Sequence, residues 1–242
     1  MKNNLKFFLS RIFPPFALAF AFALPVVAAE VAITSYGHSS LLIKSKGKSV
    51  LLNPFKAVAC ASGLTEPKVK ADVILASSEL ADEGAKVADG VFFVKPGSYR
   101  INGLRIEGFA LPHDRIGGRR YGMSTVWKWG QAGLNFIHMG GTAAPLNPDD
   151  KVLIGRPDVL FIGVGGGSKV YDGDEAAQIV KDLNPKIVIP VQYLKDDSIS
   201  GCDLSGIDSF LEKMKGTTIK KVNKTFKISK EKNTEMVIKL IK

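Results

Sequence analysis

The chain has 242 residues, 45% of them hydrophobic and 23% charged, with a formal net charge of +10. That balance is close to the average of soluble globular chains and supports a sizeable buried core, with no internal repeat or low-complexity tract to suggest an array or a disordered segment. The cysteines are Cys60 and Cys202, a spacing that excludes a Cys-x-x-Cys redox or zinc motif.

The first element differs from the rest. Lys2, Lys6 and Arg11 precede an apolar run from Phe16 to Val27, and no acid occurs before Glu30. This is the layout of a signal peptide, with Val27 and Ala29 as the small residues that a signal peptidase reads, so a leader is predicted over 1–29 and a single domain over 30–242. An uncleaved anchor is the competing reading. Pro14, Pro15, Pro25 and the shortness of the run argue against it, and no stable membrane span is expected after cleavage.

Export predicts a periplasmic or secreted protein, still basic once the three leader charges are gone. Such a charge favours an anionic small molecule or an envelope component as partner, and no recognition motif points to nucleic acid. An oxidising compartment also makes Cys60 and Cys202 a candidate disulfide.

From Val31 short β-type runs alternate with turns. Val31–Tyr36, Ser39–Lys44 and Ser49–Asn53 read as a meander, the last two joined through Lys46-Gly47-Lys48. Asp72–Ala76 is a short apolar run suited to a strand buried on both faces, and Glu79–Val87 has helix-compatible composition. Strands are predicted at Gly90–Lys95, Leu104–Ala110, Ser124–Trp129 and Leu134–His138, with Trp127 and Trp129 on one face by the period of two. Asp158–Val164, Asp174–Leu183 and Lys186–Val191 then read as a strand, a helix and a strand, the helix opened by Asp172 and Asp174 and stopped by Asn184-Pro185. A helix over Leu204–Lys215 and strands near Thr218–Val222 and Met236–Ile241 complete a single layered α/β domain.

Ile33–Ser40, reading I-T-S-Y-G-H-S-S, and Ser49–Phe55, reading S-V-L-L-N-P-F, resemble the opening of the metallo-β-lactamase superfamily. The branch in question includes the ascorbate-6-phosphate lactonase, where G-H-A-S leads a strand pair ending in D-P-F. Leu111–Asp114 with Gly117–Val126 is similar to that branch's H-D-x-x-G-G-x-R-G-x-N-T segment, Phe136–Thr142 to its Y-H-A-G-D-T, and Asp174–Tyr193 to its E-A-A and P-K-I-V-I-P-M-H-Y. The resemblance implies an αββα four-layer sandwich.

It also implies a dinuclear zinc centre, at which imidazoles and carboxylates lower the pKa of a bridging water for hydrolysis. Here the residues depart from the pattern. The three histidines of H-x-H-x-D-H become Ser78, Leu80 and Glu83 around a retained Asp82. His113 matches the next ligand, Gly141 stands for the bridging aspartate, and Gln192 stands for the final histidine. Neither leucine nor glycine can supply a side-chain donor. The expectation is therefore a non-catalytic or weakly active protein without a cofactor, its old cleft binding an anion. Candidate contacts are His38, His113, Arg119, Arg120 and Tyr193, with Arg115 and Lys169 adding to a basic rim. The alternative is a metal-dependent hydrolase with a remodelled divalent-metal site on Asp82, Glu83 and His113. The same layout implies that Cys60 and Cys202 lie near one rim.

Overall fold

The computed structural model describes residues 29–195, 199–230 and 235–242. Apart from Ala29, the predicted leader lies outside them. The meander forms as β1 (Val31–Gly37), β2 (Ser40–Ser45) and β3 (Lys48–Leu52), all antiparallel, and β4 (Lys70–Leu75) and β5 (Asp89–Phe93) add in parallel. The second sheet carries β6 (Gly97–Ile101), β7 (Leu104–Pro112), β8 (Met123–Gln131) and β9 (Leu134–His138), which are antiparallel. It continues with β10 (Val159–Gly163), β11 (Ile187–Val191), β14 (Val237–Ile241) and β12 (Thr218–Val222), all parallel to their neighbours. A short β13 (Thr225–Ile228) crosses back to pair with β1, so the sheets hold six and eight strands.

The alternation seen in sequence is what closes the sandwich. On β10, Val159 and Phe161 point between the sheets while Leu160 and Ile162 point outward, and every residue of the strand is buried. Between the sheets, Leu41, Ile43, Val50, Leu52, Val73 and Leu75 meet Trp127, Trp129, Phe136 and Ile189. The Trp129 and Phe136 rings stack with centroids 5.0 Å apart. Burying side chains of this size contributes about 1.5–3 kcal/mol each.

Outside the larger sheet lies α2 (Gly173–Leu183), opened by a capping box between Asp172 and Glu175 and ended by Asn184 in the left-handed region. Its Ala176, Ala177, Val180 and Leu183 belong to the cluster that includes Leu160, Ile162 and Val188. α3 (Asp208–Lys213) adds Phe210 to that cluster and is shorter than the predicted 204–215. α1 (Pro148–Ile154), which sequence reading did not find, is capped by Asn147 and Asp150.

The helix expected at 79–87 is not formed. Residues 79–84 make bends and turns, because the Ala81 carbonyl and Ala85 N–H, which a helix would pair with each other, bond instead to the Lys56 N–H and Pro54 carbonyl, and the fully buried Glu83 side chain is drawn inward. Among the described residues, the outer face of the smaller sheet therefore carries loops and a small cluster of Leu42, Leu51, Ala71 and Ile74. No described helix is long and apolar enough to cross a membrane.

Candidate functional site

The loops following β3, β4, β7, β9, β10 and β11 leave the sandwich at one end. They bring together Asn53, Ser77, Ser78, Glu83, His113, Gly141, Lys169 and Gln192. Glu83 is at the centre and is fully buried. Its Oε1 accepts a hydrogen bond of 2.7 Å from the Gln192 amide, and its Oε2 accepts from the Ser77 and Ser78 hydroxyls, each at 3.1 Å. His113 Nε2 lies 3.2 Å from the same Oε2 but off the line of a hydrogen bond, so this contact is chiefly one of charge. Asn53 completes the support by donating to the Ser77 and Ser39 hydroxyls and accepting from the Ser77 N–H. An aspartate at 53 would have no amide hydrogens for those hydroxyls.

Burial pushes the Glu83 carboxyl up. His113, together with the charges of Lys169 and His38, outweighs that and holds it well below the ordinary carboxylate range. Burial pulls His113 down, but Glu83 raises it above the ordinary imidazole value. Beside this pair, the Lys169 ammonium lies 2.9 Å from Asp82. Two carboxylates thus face two cationic groups when His113 is protonated, in a space from which water is largely excluded.

Zinc does not fit this arrangement as the pair the resemblance implies. A β-carbon at Gly141 would collide with Glu83 Oε1 and with the His113 ring, so the Glu83 carboxylate stands where an aspartate at 141 would reach inward. Both Glu83 oxygens are taken by protein donors, Asp82 faces an ammonium, and Leu80 has no donor. Among the described residues no three His, Cys, Asp or Glu side chains converge as a metal-binding set.

The ligand candidates divide between different places. His38 and Tyr193 line one cleft of about 530 Å³ together with Lys195, Leu64, Leu194 and Leu204, and no described residue lining it is acidic. Lys195 donates to the Ile241 carbonyl, stands over the Tyr193 ring and is lowered in pKa by burial. Sequence reading missed it, although it follows the P-x-x-Y segment by two residues. His113 is sealed beneath the Glu83 network, whereas Arg119 and Arg120 project from the 114–122 loop outside this cleft. Arg115 is spent on Glu175 and on the Gly167 and Val170 carbonyls, and Lys169 on Asp82. Cys60 and Cys202 form a disulfide at the cleft mouth.

His138, behind the site, is fully buried, accepts from the Gly140 N–H, and is lowered by that burial to a pKa of about 4. In the unfolded chain it titrates near 6.5, so between those values the unfolded state binds more protons. Stability is therefore expected to fall on acidification from pH 6.5 to 4, by about 3 kcal/mol from this group. Urea midpoints across that range should show the slope, and His138→Gln should flatten it. An unchanged slope in the variant would remove His138 as its source.

The comparisons with known proteins bear on the same loops. A family described as the beta-lactamase superfamily domain matches residues 32–192. The chain belongs to the beta-lactamase superfamily. A UPF0173 protein of Pyrococcus abyssi is 25% identical over 191 residues, 66% of this chain and 82% of the relative. A UPF0173 metal-dependent hydrolase of Geobacillus thermodenitrificans is 27% identical over 201 residues, 66% of this chain and 84% of the relative. The structure of a candidate Zn-dependent hydrolase of the metallo-β-lactamase superfamily from Thermotoga maritima is 26% identical, with a TM-score of 0.69, covering 88% of this chain and 100% of that one. Membership of this superfamily accounts for the sandwich and for the end at which the loops meet; the residues on those loops are this chain's own.

Proposed function

We propose that this superfamily member is an exported, non-catalytic or weakly active protein that binds an anionic small molecule or envelope component in the cleft beside the former metal position. One observation carries the reading: the Glu83 carboxylate, held by Gln192, Ser77, Ser78 and His113, fills the place that the family's ligands would surround. The charge balance that metals would supply comes instead from His113 and Lys169. The adjoining cleft keeps a lysine and a histidine among its lining residues, which suits a carboxylate or phosphate.

Metal analysis of the purified protein is expected to find only traces, and about one or two equivalents of tightly bound zinc would overturn the reading. Calorimetric titration with small carboxylates and inorganic phosphate should detect binding. Lys195→Gln should weaken it by about tenfold, the effect of losing one charge-assisted hydrogen bond.

The buried Nδ1 of His113 and Oε1 of Gln192, neither with a hydrogen-bond partner among the described residues, favour a second reading, a metal-dependent hydrolase with remodelled ligands. The name carried by the Geobacillus relative also supports it. It predicts ester or lactone hydrolysis that rises with added divalent metal and is lost in both Asp82→Ala and His113→Ala. Hydrolysis indifferent to chelator and to both substitutions would eliminate it.

A further inference from the structure

The end of the sandwich opposite the site has a different character. Asp158 and Lys186 immediately precede β10 and β11, whereas the site follows the other ends of those strands. Here Lys186, Lys220, Lys230 and Lys239 converge from four separate segments on one shallow depression, with Asp158 and Glu235 on its border. The β2–β3 turn brings Lys46 and Lys48 to the same end, since Lys44 lies opposite Ala32 near the start of β1. Of the ten lysines in residues 211–242, Lys220, Lys230 and Lys239 line this depression, whereas Lys224 stands over the Tyr36 ring and Lys242 bonds to the Val222 carbonyl toward the other end.

Lysines on sheet edges guard against strand pairing and need no further explanation. Lys239, however, is on β14, an interior strand between β12 and β11. It stands directly across from Lys220, a like-charge pairing that works against the sheet. The carboxylates at this end are mostly engaged: Asp158 by Lys186 at 2.8 Å, Glu30 by Lys227 at 2.8 Å, and Asp72 by Ser49. The chain also enters the fold here, with Val31 opposite Ile228.

From the convergence of Lys186, Lys220, Lys230 and Lys239 on one depression, with Lys46 and Lys48 at the same end, we infer that this end is a docking surface for an anionic phospholipid bilayer. Docked in this way, the domain turns its basic end to the lipid and its cleft away from it. Attraction is electrostatic and screened over a Debye length of about 8 Å at physiological salt, and each lysine at the surface contributes about a fivefold factor.

The test is co-sedimentation of the protein freed of its predicted leader with vesicles of phosphatidylglycerol and phosphatidylethanolamine, against vesicles of phosphatidylcholine alone. Binding is expected to the anionic vesicles, to fall steeply as salt rises, and to drop about 25-fold in Lys220→Gln/Lys239→Gln. Lys56→Gln/Lys86→Gln, in the loops at the site end, should leave it unchanged. Circular dichroism and unfolding midpoints show whether each variant is folded. Equal binding to neutral vesicles, equal loss in the two double variants, or binding to heparin without binding to vesicles would each overturn the inference.

Discussion

Gly141→Asp, which restores the acid that the superfamily pattern places at this position, is expected to destabilise the protein by about 3–5 kcal/mol. The physical reason is local. A β-carbon at 141 already collides with the Glu83 carboxylate and the His113 ring, and the added carboxylate would be a second buried negative charge beside Glu83. The Gln192, Ser77 and Ser78 donors already serve Glu83, so the second carboxylate would compete with it for the His113 ring.

The same geometry predicts strong coupling between the two positions. Glu83→Ala alone leaves a buried, orphaned His113 and should also cost about 3–5 kcal/mol. In Gly141→Asp/Glu83→Ala the new carboxylate has both space and an imidazole partner, so the losses should fall short of their sum by at least about 1 kcal/mol. Guanidinium unfolding of the single and double variants measures this directly. Additive losses would mean that Glu83 does not occupy the space in front of residue 141.

That coupling also shows why the site was only half legible in sequence. Ser78, Leu80, Gly141 and Gln192 could be read as departures from a ligand pattern, each taken singly. What takes the ligands' place could not be read, because Glu83 aligned as one more lost histidine and nothing local marks it as the hub of four neighbours. The burial of Glu83 likewise overrode the helix-compatible composition of 79–87, since a regular helix there would not leave its carboxylate directed at Gln192. The fold was more open to reading: period-two alternation and the strand–helix–strand rhythm placed most strands and α2. α1 was missed although Asn147-Pro148-Asp149-Asp150 is a capping signature; its seven residues gave too short an apolar period to read. β13 depends on pairing with β1, almost 200 residues away in sequence, which no local pattern reports.

Reducing the Cys60–Cys202 disulfide should have an effect of similar size by a different route. The bond spans a sequence separation of 142 residues, and closing a loop of that length lowers the entropy of the unfolded chain by an amount corresponding to about 5 kcal/mol of native stability. Cys60→Ser/Cys202→Ser should therefore lower the guanidinium midpoint substantially. It should also increase the slope of the transition, because an unfolded chain freed of the cross-link exposes more surface. Reductant should reproduce both changes in the native protein and neither in the variant. The two cysteines also sit at the mouth of the cleft, with Cys60 and His38 bordering both the outer cleft and the small cavity over Asp82 and Lys169. Reduced protein should accordingly be cut first by protease in loops 57–64 or 199–204 while the sandwich stays intact. A midpoint that falls with an unchanged slope would place the disulfide's contribution in the folded contacts of these loops instead of in the unfolded chain.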